Sequence, residues 1–521
     1  MSDTTFVNGT VVLPAWLNDV NDRVYNGQSF DTISALNVKD PTFGAIGDGV
    51  ADDTTAIQAA ITAASTLGKI IFLPPGTYKV SAALTITSNN VSIYGSGNSS
   101  IISCSSTTAD VFTIGNNVSE ISGLNFRDFT IWSSVVKSAG YAFNNRIVTD
   151  SNWHNVNCGT NDLYTTAGGH RLFRGWYFDR FDTVLVFAGQ CVTADDGVRC
   201  RGNADNSYGA ELVLDGNLRF IHQNASGACG VRIGGTSGGV YLRRMDVSQA
   251  ETGLIIDTTL QTGGTTATRR NREIFIEGAN FDSCKKWGIR QVLESVALLV
   301  MNKPWAASCG TDDDGSGGII IEGGATVSPF VVCAGAPFLY NNVGPGLRLE
   351  GGFISFDGGQ ILLNGRSASG GHGVEFGATL PIRFSITGTD IDDNGIAAKG
   401  LGINIPAGLD NFNIDGVSLF SNPQGQIINA AGFGPTKLIR NCLGYVTENS
   451  GVATVANGNS TVVINHGLSA TPATVHLTPI GTPSVGTYNA GTFTSTQFTI
   501  NNDAVAAGAR QFSWRASVTG N

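Results

Sequence analysis

GIIIE at 318–322, GLRLE at 346–350 and GVEFG at 373–377 share one pattern, a glycine followed by apolar residues at the first and third positions. The same pattern stands upstream as GVRIG at 230–234, GLIID at 253–257 and GIRQV at 288–292, and downstream as GINIP at 402–406. Successive glycines are 23, 35, 30, 28, 27 and 29 residues apart. Thirteen of the fourteen positions one and three residues after the glycine are aliphatic or Phe, and Gln291 is the exception. Alternation with period two marks a strand with one buried face. A second apolar strand follows about ten residues later in each unit, as in REIFIEGANF and FISFDGGQI. Two or three short strands per unit of this length, with glycine at the corners, predict a parallel β-helix. A propeller is opposed by its longer repeat of about 40 to 50 residues. Coils are expected from about 70 to 443, with TTLQTGGTTATRRNR after Asp257 protruding as a corner loop.

Composition agrees. Of 521 residues 68 are Gly and 14% are charged, which excludes a coiled coil, while 41% hydrophobic residues exclude disorder. A balance of 31 basic against 41 acidic residues argues against a nucleic-acid surface. No apolar run reaches the length of a membrane helix, and the opening MSDTTFVNGT lacks a basic stretch, so neither membrane insertion nor a secretion signal is expected. Nine scattered cysteines without CxxC spacing read as reduced core thiols.

FGAIGDGVADDTTAIQAAI at 43–61, followed by GKIIFLPPGTYKV at 68–80, resembles the opening of the pectate-lyase-like superfamily. The carriers are Gly44, Gly47, Asp48, Gly49, Asp52, Asp53 and Thr54, with Ile57, Ala60, Ile61 and Ala64 as the buried face of a capping helix whose N-cap is Asp53 or Thr54. The resemblance implies a right-handed single-stranded β-helix. The first thirty residues look like the virion anchor of bacteriophage tailspikes. After Tyr445, alternating Thr and Val with Gly and Pro punctuation predict an antiparallel β-sandwich.

The expected organisation is therefore an anchor at 1–30, a linker and capping helix at 31–67, a β-helix at 68–445 and an all-β C-terminal module at 446–521. The resemblance implies a homotrimeric tailspike depolymerase, made in the host cytoplasm and joined to the phage tail or baseplate through its N-terminus. Its partner would be bacterial surface polysaccharide, capsule or O-antigen. Hydrolysis by a carboxylate pair is the leading reading, with β-elimination on the same fold and a non-catalytic receptor-binding spike as alternatives.

Stacking of coils turns the repeat into a surface map, because strands of neighbouring coils lie about 4.8 Å apart. Glu322 and Glu350 should be neighbours, with Glu375 diagonal to Glu350, and glycosidases need two such carboxyls. Arg348 shares that face, so a structural ion-pair ladder is the alternative. Asp390 and Asp392 flank an inward Ile391 and offer a second acid/base pair; with Asp393 they read instead as a turn or as a calcium site. Otherwise no cofactor or metal is expected. Glu277, Asp357 and Asp415 form a third, broken strip. Arg348, Lys285, Trp287 and His372 are the candidate substrate contacts, with Trp287 placed in a corner for stacking on a sugar. Trp305 aligns with Phe281 and Ile391 and is expected to pack inward. Trp153 and Trp176 remain candidates for sugar stacking, and the run Arg269, Arg270, Arg272 is either an anion-attracting loop or a solvated one. For elimination, Arg348 or Arg290 would neutralise a uronate, since Arg stays protonated.

Overall fold

The computed structural model describes residues 35–518 except 160–171, 203–208, 223–226, 262–268, 294, 324–329, 367–370, 397–399, 482–485 and 504–507. The expected virion anchor lies outside the described residues, as does the tip of the corner loop after Asp257.

Thirty-nine strands between Ala35 and Arg440 join through parallel pairings alone. One coil shows the plan: Leu347–Leu349, Phe353–Asp357 and Gln360–Leu362 are separated by short corners. Each strand pairs with its counterparts one coil away on either side. Leu347 lies between Ile319 and Val374, Phe353 between Val331 and Arg383, and Gln360 between Phe338 and Asp390. Three parallel sheets thus run the length of a β-helix; they are called first, second and third in that order. One apolar core fills the tube from Val38 to Tyr445. Among its members are Trp153 and Trp176, both fully buried, with Trp176 stacked 6.0 Å from Phe143. They are core residues and offer sugars no face. Gln291 points inward as well and is fully buried.

The corner after the third sheet has its own chemistry. Asn341, Leu363, Asp393 and Ser421 adopt φ of 53°, 59°, 48° and 52°, a left-handed bend that few non-glycine residues make. The bend sends the next side chain inside, where Asn342, Asn364, Asn394 and Asn422 stack as a ladder. The Nδ2 of each donates to Oδ1 of the next, at 2.7, 2.9 and 3.1 Å. The same Oδ1 atoms accept the backbone N–H of the preceding asparagine, so buried amides and buried corners satisfy one another. Cys309 holds the equivalent place one coil earlier, its N–H donating to Asn342 Oδ1.

The helix Thr54–Leu67 buries Ile57, Ala60, Ile61 and Ala64, as the pattern predicts, and ends at Gly68 in a left-handed C-cap. Asp53 stands at the N-cap but its side chain does not cap the helix. Its carboxylate instead accepts the N–H groups of Ile46 and Gly47, tying the GDG loop to the start of the helix. Beyond the coils, two three-stranded antiparallel sheets begin with Glu448–Val455. They enclose a separate core that includes Val455, Phe498, Ile500, Phe512 and Trp514, the arrangement of a small sandwich. All nine cysteines are free, and eight are buried.

Candidate active site

The first sheet carries the charged column. In register from coil to coil stand Arg232, Ile255, Arg290, Ile320, Arg348 and Glu375, in the order the glycine repeat predicts. Glu322 and Glu350 lie one residue beyond their strands, and the N–H of Glu350 donates to the carbonyl of Ile321. Arg290 Nε meets Glu322 Oε1 at 2.8 Å, a close ion pair. Arg348 is held more loosely: Nε lies 3.6 Å from Glu350 Oε1 and Nη1 lies 3.7 Å from Glu375 Oε1. One guanidinium therefore stands between two carboxylates without a short bond to either.

Both carboxylates are mostly buried, with side chains 18% and 21% exposed. Burial pushes both carboxyls above the ordinary glutamate range, since a charge withdrawn from water is disfavoured. Arg348 opposes the rise in each, and the negative charge of Glu322 adds to it for Glu350. Gly377 makes the placement of Glu350 sterically available. A Cβ built there would stand 1.8 Å from Glu350 Oε1.

His372 borders this group. Its Nδ1 accepts the N–H of Leu401 at 3.1 Å, and its Nε2 lies 3.3 Å from Asn404 Nδ2. Burial holds the imidazole below its usual value and keeps it neutral.

The remaining candidates lie elsewhere. Asp390 and Asp392 do flank the buried Ile391, but on the third sheet, away from the first-sheet column. Asp393 pairs with Arg366 at 2.9 Å. Among the described residues no group of three or more His, Cys, Asp and Glu is arranged to hold a metal ion. Glu277, Asp357 and Asp415 share a column of the second sheet, interrupted by Asn302, Gly335 and Thr387. Lys285 and Trp287 lie in the corner leading to Arg290, yet Trp287 is only 7% exposed. So little exposure leaves no open face there for a sugar to stack on. Trp305 reverses in the other direction. It pairs with Asn280 while Ala306 takes the inward place opposite Phe281. Trp305 is therefore exposed, its ring 4.3 Å from Phe338. Of the basic run, Arg270 Nε donates to the carbonyl of Val296.

The chain is thus a parallel β-helix with a helix that grows from a GDG and DDT segment at its start. Residues 35–169 match the family model described as rhamnogalacturonase A/epimerase, pectate lyase-like. Among curated proteins the chain is 65% identical over 48 residues to mannuronan C5-epimerase AlgE6 of Azotobacter vinelandii, 9% of this chain and 5% of that one. It is 50% identical over 68 residues to alginate lyase 7 of the same organism, 12% of this chain and 8% of that one. The chain thus spans less than a tenth of the length of the curated relatives it matches. Among solved structures, tailspike protein gp49 of Pseudomonas phage LKA1 superposes with a TM-score of 0.51 at 12% identity, covering 93% of this chain and all of that one. A tailspike protein of E. coli bacteriophage HK620 gives 0.51 at 11% identity, covering 96% and 94%. The chain has the fold of these tailspikes. No helix among the described residues is long and apolar enough to cross a membrane.

Proposed function

We propose that this protein is a phage tailspike that binds and cleaves a bacterial surface polysaccharide, with Glu350 and Glu375 as the carboxyl pair. The observation that carries this reading is the shared guanidinium: two carboxyls raised by burial stand on either side of Arg348, neither neutralised by a short bond. Glycoside hydrolysis needs an acid whose pKa is raised and a partner carboxylate. Glu350, raised further by Glu322, gives its proton to the glycosidic oxygen as the C–O bond breaks. Glu375 takes a proton from the water that attacks the anomeric carbon. A guanidinium between the two suits the wider separation, about 6.5–9.5 Å, of an inverting enzyme. The tailspike fold of the neighbours and the polysaccharide enzymes among the relatives support the substrate class. Assembly as a homotrimer joined to the virion tail through the N-terminus belongs to the same proposal.

Elimination is the second reading, favoured by the epimerase and lyase names of the curated relatives. It asks for a base beside a uronate whose carboxylate Arg348 would neutralise. His372 suits that role poorly, because its basic nitrogen, Nδ1, already accepts the N–H of Leu401. The products separate the two readings. Digests of purified capsular or O-antigen polysaccharides should gain reducing ends without the ultraviolet band of an unsaturated uronate; appearance of that band would establish elimination instead.

A further inference from the structure

The outward columns of the three sheets differ in kind. The first carries Arg232, Arg290, Arg348 and Glu375, and the third runs from Arg219 and Asp246 to Gln360 and Asp390. The middle of the second sheet instead carries Leu185, Val213, Tyr241, Phe275, Val300 and Cys333, in register from coil to coil. None of these side chains is charged, and the column then passes into Ser355 and Ser385. All six point away from the core, between buried neighbours such as Val184, Val186, Ile274 and Ile276, and all are partly exposed. In the column beside them Val331 and Phe353 pair, 38% and 37% exposed. Cys333 is the one cysteine that is not buried.

Folded proteins cover both faces of their parallel sheets, so an apolar column on the outside of one implies a cover. From Leu185 to Ser385 the face extends about 34 Å at about 4.8 Å per coil, and strands about 17 Å long give it roughly 600 Å², against the roughly 800 Å² that each partner gives to a stable interface.

The rims indicate what covers it. Arg243 stands on the rim next to the third sheet, and Glu273 stands on the opposite rim one coil later. Asp357 and Arg383 repeat that arrangement further along with the signs exchanged. Arg243 also holds Glu277 at 2.9 Å, but among the described residues Glu273, Asp357 and Arg383 have no ion-pair partner. Copies set around an axis parallel to their tubes bring one rim of each face against the other rim of the next. Glu273 with Arg243 and Arg383 with Asp357 then pair across the seam, both with the same offset of one coil. A flat apolar face with rims of opposite sign thus matches further copies of itself.

We infer that the second sheet is the face by which copies of this chain associate, each turning that sheet toward a common axis. The inference deepens the homotrimer reading and rests on it for the number of copies; what it adds is the face.

Sedimentation velocity and native thiol titration of the full chain test this together. The wild type should sediment as three chains with no thiol reacting, because eight cysteines are buried within the chain and Cys333 lies in the interface. Val300→Glu should sediment as one chain, expose one thiol per chain and keep the wild-type far-ultraviolet dichroism. Arg383→Glu and Asp357→Arg should each raise the concentration of half-dissociation by about tenfold or more, and the double exchange should restore it. These rim changes leave the core alone and decide the point even where Val300→Glu does not fold. The Glu350→Gln, Glu375→Gln double variant should lose cleavage yet keep the assembled mass, which separates the face from the cleavage reading. A wild type that sediments as one chain overturns this inference together with the homotrimer reading. An assembled wild type in which Cys333 reacts freely, or in which Val300→Glu and both rim variants stay assembled, overturns the face alone.

Discussion

The two ends of the first-sheet column use the same residues to opposite effect. Toward the N-terminus, Asp196 has a side chain with no exposure and accepts from Arg199, from Arg232 at 3.1 Å and from the N–H of Cys229 at 2.9 Å. Arg232 goes on to Asp257 at 2.8 Å, and Asp195 joins Arg174 at 2.6 Å and Arg199 at 3.2 Å. Every charge there has a close partner of opposite sign. Four coils beyond Arg232, Arg348 stands 3.6 and 3.7 Å from two carboxylates that burial has pushed toward protonation. A buried charge with saturated hydrogen bonds holds structure in place, whereas one left loosely paired is ready to exchange a proton. The difference lies in geometry, because the ingredients are the same.

The largest test breaks the tight end. Asp196→Ala takes one of two anions from Arg199 and from Arg232, which keep Asp195 and Asp257, and leaves the Cys229 N–H without its acceptor; it should lower stability by about 1–3 kcal/mol, read from the urea midpoint. Activity per folded molecule should stay at the wild-type level. A loss below about 1 kcal/mol would show that the network is not structural.

A smaller effect is expected at the loose end from Gly377→Ala. The new methyl occupies the place of the Glu350 carboxylate, and misplacing a reacting group by about 1 Å costs on the order of 10²-fold in rate. Stability should fall by no more than about 1 kcal/mol, since Glu350 makes no short bond that its displacement would break. Full activity would mean that the position of Glu350 is irrelevant to cleavage.

The smallest effect sharpens the contrast most. Folding raises the pKa of Glu375, so the folded state holds that proton more tightly than the unfolded chain. The favourable contribution is present below the ordinary glutamate value and is lost as pH rises through the raised one, leaving a penalty at neutral pH. Glu375→Gln should therefore match or exceed wild-type stability at pH 7, by less than about 1 kcal/mol after screening, and the difference should vanish in acid. A clear loss at pH 7 would make Glu375 a structural partner of the Asp196 kind.

Much of this was legible in the sequence because period-two alternation and a corner glycine leave little freedom in register. The column from Arg232 to Glu375 follows directly from aligning glycines. Trp305 was misplaced by a single residue, which in a strand exchanges the two faces. Its strand is short and Ala306, rather than a large apolar residue, fills the inward place, so hydrophobicity pointed the wrong way. Trp287 differs from its expected exposure too: a corner residue next to two lysines is nonetheless 7% exposed. The asparagine ladder was missed although Asn342, Asn364, Asn394 and Asn422 recur with the coil repeat, since asparagine near a corner reads first as a turn former. The Asp196 network was invisible because its coils lack the regular glycine spacing that aligned the others. The pairing of Glu350 with Gly377 depends on a side-chain direction that no linear pattern encodes.

Cleavage of purified capsular or O-antigen polysaccharides by Glu350→Gln and Glu375→Gln, followed as new reducing ends beside the melting temperature of each variant, tests the central claim most directly. The carboxyl-pair account predicts that each rate falls by about 10²–10⁴-fold while both variants melt with the wild type. Undiminished cleavage by both variants would contradict it.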